Sequence, residues 1–63
     1  MDEREVIRSV FEAALKTVSG QFFGAYMIAS SPEGKQEAET IFINGIKAAR
    51  IACARALAIL PAP

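Results

Sequence analysis

The sequence contains no histidine and only one cysteine, Cys53, in 63 residues. A single cysteine excludes an intrachain disulfide. With no histidine and one thiol the chain lacks the ligands of a structural zinc site, and we expect neither a metal nor another cofactor. A domain of this length hides only about 60% of its unfolded surface and usually relies on disulfides, metals or association with another chain. Association is the route that remains.

The chain also lacks an excess of charge of either sign. Seven lysines and arginines balance seven aspartates and glutamates, so the formal net charge is zero. A neutral chain has no overall field that would attract nucleic acid or an anionic lipid surface. The opening Met-Asp-Glu-Arg-Glu is acidic and has neither the basic nor the apolar region of a secretory signal. We therefore expect a reducing, cytoplasmic environment.

No uncharged run is long enough to predict a membrane span. The longest such run, Thr17 to Pro32, includes three serines and a glutamine, and a spanning helix needs about 20 consecutive, predominantly apolar residues. Nevertheless, 52% of the residues are hydrophobic, which is a high share for so small a chain. These side chains must be covered in another way.

The spacing of apolar residues predicts a first helix over about residues 2–29. Small and apolar residues recur every three or four positions, as one face of a helix requires. That face comprises Ile7, Val10, Phe11, Ala14, Val18, Gln21, Ala25 and Ile28, widened by Leu15, Phe22 and Ala29. A turn over residues 30–32 follows, because serine is a favoured N-cap and proline is favoured at the first helical position.

A second helix is predicted over about residues 32–60. Its apolar face comprises Ala38, Phe42, Gly45, Ile46, Ala49, Ala52, Cys53, Ala56 and Leu60. The β-prone stretch at 40–43 is assigned to this helix because the helical spacing continues through it. Two long helices and a short turn predict one all-α domain, an antiparallel hairpin. With the turn near Ser31, Phe42 would lie opposite Gly20, and Ala38 opposite Gly24.

A single hairpin leaves the apolar face of each helix half exposed. The sequence therefore predicts dimerisation into a four-helix bundle, or a higher oligomer. Small residues on the second helix would form a close-packing stripe; they are Gly45, Ala49, Cys53 and Ala56. Cys53 lies among alanines with no histidine to act as a base, so we interpret it as a small buried hydrophobe and not as a nucleophile.

Several large apolar residues fall outside the two predicted faces. We take them as a candidate interface with another copy of the chain or with another protein, because a contiguous exposed apolar group indicates an interaction site. They are Phe23, Tyr26, Met27, Ile43 and Ile51. The alternatives are a groove for an apolar ligand, or a break near Ser19 and Gly20 that turns Phe23 and Met27 inward.

These features predict a non-catalytic interaction module, an adaptor or a regulator that assembles with itself, and not an enzyme. The alternative function is a small nucleic-acid-binding regulator, since basic residues near the terminal end of the hairpin could contact phosphates together. Those candidates are Arg4, Arg8, Lys47, Arg50 and Arg55. Interspersed acidic residues reduce their field, which argues against nucleic acid. A third hypothesis is a subunit whose ligand site forms only between the helices of an oligomer.

Overall fold

A computed structural model describes residues 2–61 of the chain. It consists of two helices, α1 (Glu3–Ile28) and α2 (Pro32–Ile59), which pack against each other as an antiparallel hairpin. The predicted all-α hairpin is therefore confirmed. The β-prone stretch at 40–43 lies within α2 and is helical.

Local sequence explains where both helices begin. The Asp2 carboxylate accepts a hydrogen bond from the Arg4 backbone N–H at 3.1 Å and caps α1. The Ser31 hydroxyl accepts a hydrogen bond from the Gly34 N–H at 3.1 Å, and Pro32 follows as the first residue of α2. Each cap satisfies an N–H group that has no partner within its own helix, so both starts are encoded locally.

Helix α1 is continuous through the segment from Ser19 to Gly24. The alternative of a break near Ser19 and Gly20 is therefore wrong. Phe23 remains 64% exposed and Met27 is also exposed, so neither turns inward. These two apolar side chains, on the C-terminal half of α1, are therefore not covered by α2.

The face of α1 that contacts α2 is rotated from the one expected. The half-buried residues of the segment 2–29 show its direction, and they include the predicted Ile7, Ala14 and Val18; the full set is Ile7, Phe11, Ala14, Leu15, Val18, Ser19, Phe22, Tyr26 and Ala29. Val10 and Ile28, which were expected on the buried face, are 64% and 84% exposed. Gln21 and Ala25 are exposed as well. The rotation leaves one flank of α1 both apolar and uncovered.

The register between the helices is set by aromatic packing. The Phe22 and Phe42 ring centroids lie 4.6 Å apart. The predicted pairing of Phe42 with Gly20 is therefore wrong, and a Cβ built on Gly20 or Gly24 would meet nothing within 4 Å. The reason is the direction of Gly20, which is exposed and lies about 160° round α1 from Phe22, so it points away from α2.

Close approach of the helices depends on Gly45. A Cβ at this position would lie 2.9 Å from Val18 Cγ1, and a β-branched valine in a helix has little freedom to move aside.

We expect Gly45→Ala to lower the thermal stability, whereas Gly20→Ala should raise it. Both changes gain helix propensity, up to about 1 kcal/mol, but overpacking at Val18 costs about 1–3 kcal/mol. Thermal unfolding followed by circular dichroism measures both variants. Equal stabilisation by the two substitutions would show that Gly45 is not a close-packing position.

The hairpin is a single layer of two helices. The Cα atoms extend over 52 × 17 × 6 Å, and their radius of gyration is 15.0 Å, whereas a compact chain of this length has about 11 Å. Among residues 2–61 only Ala38 is buried. Domains normally bury a core between two layers, so the two broad faces of this hairpin decide what it can do.

In the described part of the chain, residues 2–61, neither helix combines the length and the apolar character that crossing a membrane requires.

Candidate interface

One broad face of the hairpin is almost free of charge, and we call it the apolar face. It lies on the flank where the rotation of α1 exposes Val10 and Ile28. Each residue advances a helix by about 100°, which places two series of mostly aliphatic and small residues on this side, with Glu3 before the first of them on α1. The apolar face consists of Val6, Val10, Ala14, Thr17, Gln21, Ala25 and Ile28 on α1, and Ile41, Gly45, Ala48, Ala52, Ala56 and Ile59 on α2.

Two shallow clefts run along the apolar face between the helices. The first, about 300 Å³ in volume, lies towards the chain termini and is lined by Val6, Ile7, Val10, Phe11, Ala14, Ala49, Ala52, Cys53 and Ala56. The second, about 190 Å³, lies towards the turn and is lined by Val18, Gln21, Phe22, Ala25, Ala38, Ile41, Phe42 and Gly45. No charged side chain lines either cleft, so both suit apolar side chains of another molecule.

The opposite broad face carries charges of both signs, and we call it the charged face. Its charged residues, all exposed, are Glu5, Arg8, Glu12, Lys16, Glu39 and Arg50. Phe23 and Ile43 are its large exposed apolar residues. Mixed charges stay hydrated at low cost, and scattered exposed hydrophobes are normal on protein surfaces. The charged face is therefore the better suited of the two to remain in water.

The structure spreads the five candidate interface residues over more than one direction. Helical spacing places Phe23 and Ile43 on the charged face and turns Met27 and Ile51 away from the opposite helix; all four are exposed. Tyr26 is half-buried near the turn, where its ring packs on Phe22.

Lys35 closes over Tyr26 and ties the start of α2 to the end of α1. Its ammonium lies 4.5 Å from the centre of the tyrosine ring and donates a hydrogen bond to the Tyr26 carbonyl at 3.3 Å. A cation over an aromatic face is attracted by the ring. Tyr26 is thereby engaged within the hairpin itself.

The close-packing stripe on α2 borders the clefts of the apolar face. Ala49, Cys53 and Ala56 line the first cleft, and Gly45 lines the second. Cys53 is half-buried between apolar neighbours. Small side chains at these positions let the two helices approach closely and leave space for the clefts. The close-packing stripe therefore forms part of the inner surface of both clefts.

The five basic candidates are all exposed, but they point in different directions. Arg8 and Arg50 lie on the charged face, whereas Arg55 lies at the rim of the apolar face. Lys47 points away from α1, since it is about 150° from the contacting face of α2. Arg4 lies near the start of α1. A phosphate backbone is bound by several cations acting together, and this set does not form one patch.

The acidic and cysteine side chains form no ligand cluster: within residues 2–61 no three of them converge to hold a metal ion.

The surface area of the chain measures how much remains uncovered. The hairpin exposes 5076 Å², whereas a compact folded monomer of its 6.8 kDa mass exposes about 4,000 Å². The excess is about 1,100 Å² per chain. A standard protein–protein interface hides about 800 Å² on each partner. The uncovered area is therefore of the size that one such interface covers.

The fold and the candidate interface together define a single-layer, two-helix hairpin with one almost uncharged face. The chain matches no protein-family model, no curated protein and no solved structure. Its function must therefore be inferred from the geometry of the hairpin.

Sequence reasoning did not assign Val6, Ile41 and Ile59 to an apolar face, and it expected Val10 and Ile28 to be buried, whereas all five are exposed. The sequence did contain a pattern that indicates this face. Uncharged residues on each helix follow two adjacent series at helical spacing, so the apolar arc of each helix is wider than contact with one neighbouring helix requires. A helix that faces two neighbours has such an arc.

Proposed function

We propose that this chain is a non-catalytic oligomerisation module in which two hairpins stack through their apolar faces and form a four-helix bundle. The observation that carries the proposal is the match between the excess surface of about 1,100 Å² per chain and the area that a standard interface covers. The position of the excess supports it, because the uncharged side chains are gathered on one face.

The stacked arrangement supplies what the single hairpin lacks. A second layer of helices converts the half-buried residues between α1 and α2 into a core, as bundles require. The charged faces then point outward on both sides and keep the assembly hydrated. Such a module would serve in assembly, adaptation or regulation, with the second copy as its first partner.

The unmodified protein tests the proposal directly. We expect sedimentation equilibrium at micromolar concentration to give twice the chain mass of 6.8 kDa. The melting temperature should rise with protein concentration, because folding is coupled to association. A well-folded monomer whose melting temperature is independent of concentration would refute the proposal.

A further inference from the structure

We infer that the two hairpins of this dimer stack with their turns at opposite ends, which places Glu37 of each copy beside Arg55 of the other. The inference rests on the proposed function and specifies the geometry of the same interface. Both side chains are exposed and lie on α2 at one rim of the apolar face. They are the charged residues of α2 closest to that face.

Glu37 and Arg55 cannot meet within one chain. They are 18 positions apart on a single helix, a separation of about 27 Å at 1.5 Å per residue. They are, however, at equal distances from the middle of α2 and on the same side of the helix. A two-fold axis that crosses α2 near Ile46 therefore brings each one level with its opposite charge on the second copy. Because a two-fold interface repeats every contact, the dimer contains two such pairs.

The same axis matches large side chains with small ones. Placed between Ile46 and Lys47, it sets Ile41 level with Ala52 of the second copy. Ile59 becomes level with Gly34 of the second copy by the same operation. Large against small is the arrangement that lets layers interdigitate.

The same two-fold axis passes α1 near Thr17. This position follows from the close approach of Val18 to Gly45, which shows which residues of α1 and α2 lie at the same height along the hairpin. Val10 then becomes level with Gly24 of the second copy. A Cβ on Gly24 would meet nothing within 4 Å in the hairpin. The space above this glycine is thus open to a side chain from the second copy.

The other way of stacking two apolar faces, with both turns at the same end, leaves Glu37 unmatched. Glu37 and Arg55 would then lie over α1 of the second copy. Arg55 would lie towards Glu3, at the start of that helix, but α1 has no basic residue after Lys16, so Glu37 would face no opposite charge. Charge complementarity therefore favours the arrangement with the turns apart, since complementary charges contribute to the specificity of an interface more than to its affinity.

A distance measurement between the two turns tests this arrangement. Nitroxide labels are placed on Ser30→Cys in a Cys53→Ala background, and pulsed electron paramagnetic resonance gives the separation between copies. We expect about 40 Å, twice the distance along the helices from the axis to the turn. A separation under about 20 Å, as expected for neighbouring helix ends in a bundle, would overturn the arrangement and leave the dimer intact. No dipolar coupling would mean a monomer, and both proposals would fall.

A charge exchange provides a second test with the native cysteine in place. Glu37→Arg and Arg55→Glu should each weaken dimerisation about tenfold, because each replaces two attractions with two repulsions. The double variant should return to within about twofold of the unmodified protein. Glu39→Arg and Arg50→Glu make the same changes on the charged face and should leave the dissociation constant unchanged. Weakening that the double variant does not reverse would overturn the pairing.

Discussion

A chain carrying Val10→Glu is expected to sediment as a monomer and to lose most of its helical signal at micromolar concentration. Val10 is 64% exposed in the isolated hairpin, so the substitution introduces no strain there. In the dimer the new carboxylate would be enclosed by the second copy without a partner. Each such unpaired buried charge costs several kcal/mol, and the two-fold interface repeats the cost. We expect the dissociation constant to rise at least about 100-fold.

Phe23→Glu is the matched control for this substitution. Phe23 has the same exposed fraction as Val10, 64%, and it also lies inside α1, away from the helix ends. It is on the charged face, so the proposal predicts an intact dimer whose stability falls by at most about 0.5 kcal/mol, from the lost edge contact with Phe22. The reverse result, in which Phe23→Glu dissociates the protein and Val10→Glu does not, would show that the interface predicted from sequence is the correct one.

The second large effect is expected for Phe22→Ala, which should abolish cooperative folding at 25 °C. The Phe22 ring packs on Phe42, on Tyr26 at 5.4 Å between centroids and on Phe23 at 6.1 Å. Truncating a buried phenylalanine costs about 3–5 kcal/mol. Phe22 is only half-buried in the hairpin, so about 2–3 kcal/mol is expected, and a chain this small has little stability to lose.

Adjacent residues make this test specific. Phe23→Ala removes a ring of the same size one position later, yet it gives up only the edge contact with Phe22, so we expect its stability to fall by at most about 0.5 kcal/mol. Urea unfolding followed by circular dichroism compares the two variants. If Phe22→Ala and Phe23→Ala melt alike, the aromatic contact between α1 and α2 does not hold the hairpin together.

The helices and their ends could be predicted from the sequence because their signals are local. Asp2, Ser31 and Pro32 act within one turn of their own positions. The helical spacing of α2 marks most of its half-buried residues from Phe42 to Leu60, although Ala52 is exposed and the half-buried Leu57 was not included. The stripe at Gly45 was identified in the same way. These features need no information about the other helix.

The rotation of α1 could not be predicted in this way. Centring the buried face on Ile7 placed Val10 and Ile28 inside, whereas packing of Phe22 on Phe42 turns them outward. The apolar arc of α1 is wider than contact with one helix requires. Several rotations of α1 about its own axis would therefore bury similar apolar areas against α2. The choice among them depends on which side chains interlock across the helices, and spacing along one helix carries no record of that.

Ser31 and Pro32 show where the sequence ceases to be sufficient. By itself the sequence determined that two capped helices form with a break between them, because caps and periodicity act over a few residues. Only the tertiary structure decided the rotation of α1, the level of Phe42 against Phe22, and the face left uncovered. The reason is physical: these depend on contacts between residues far apart in the chain, whose geometry exists only once both helices have packed.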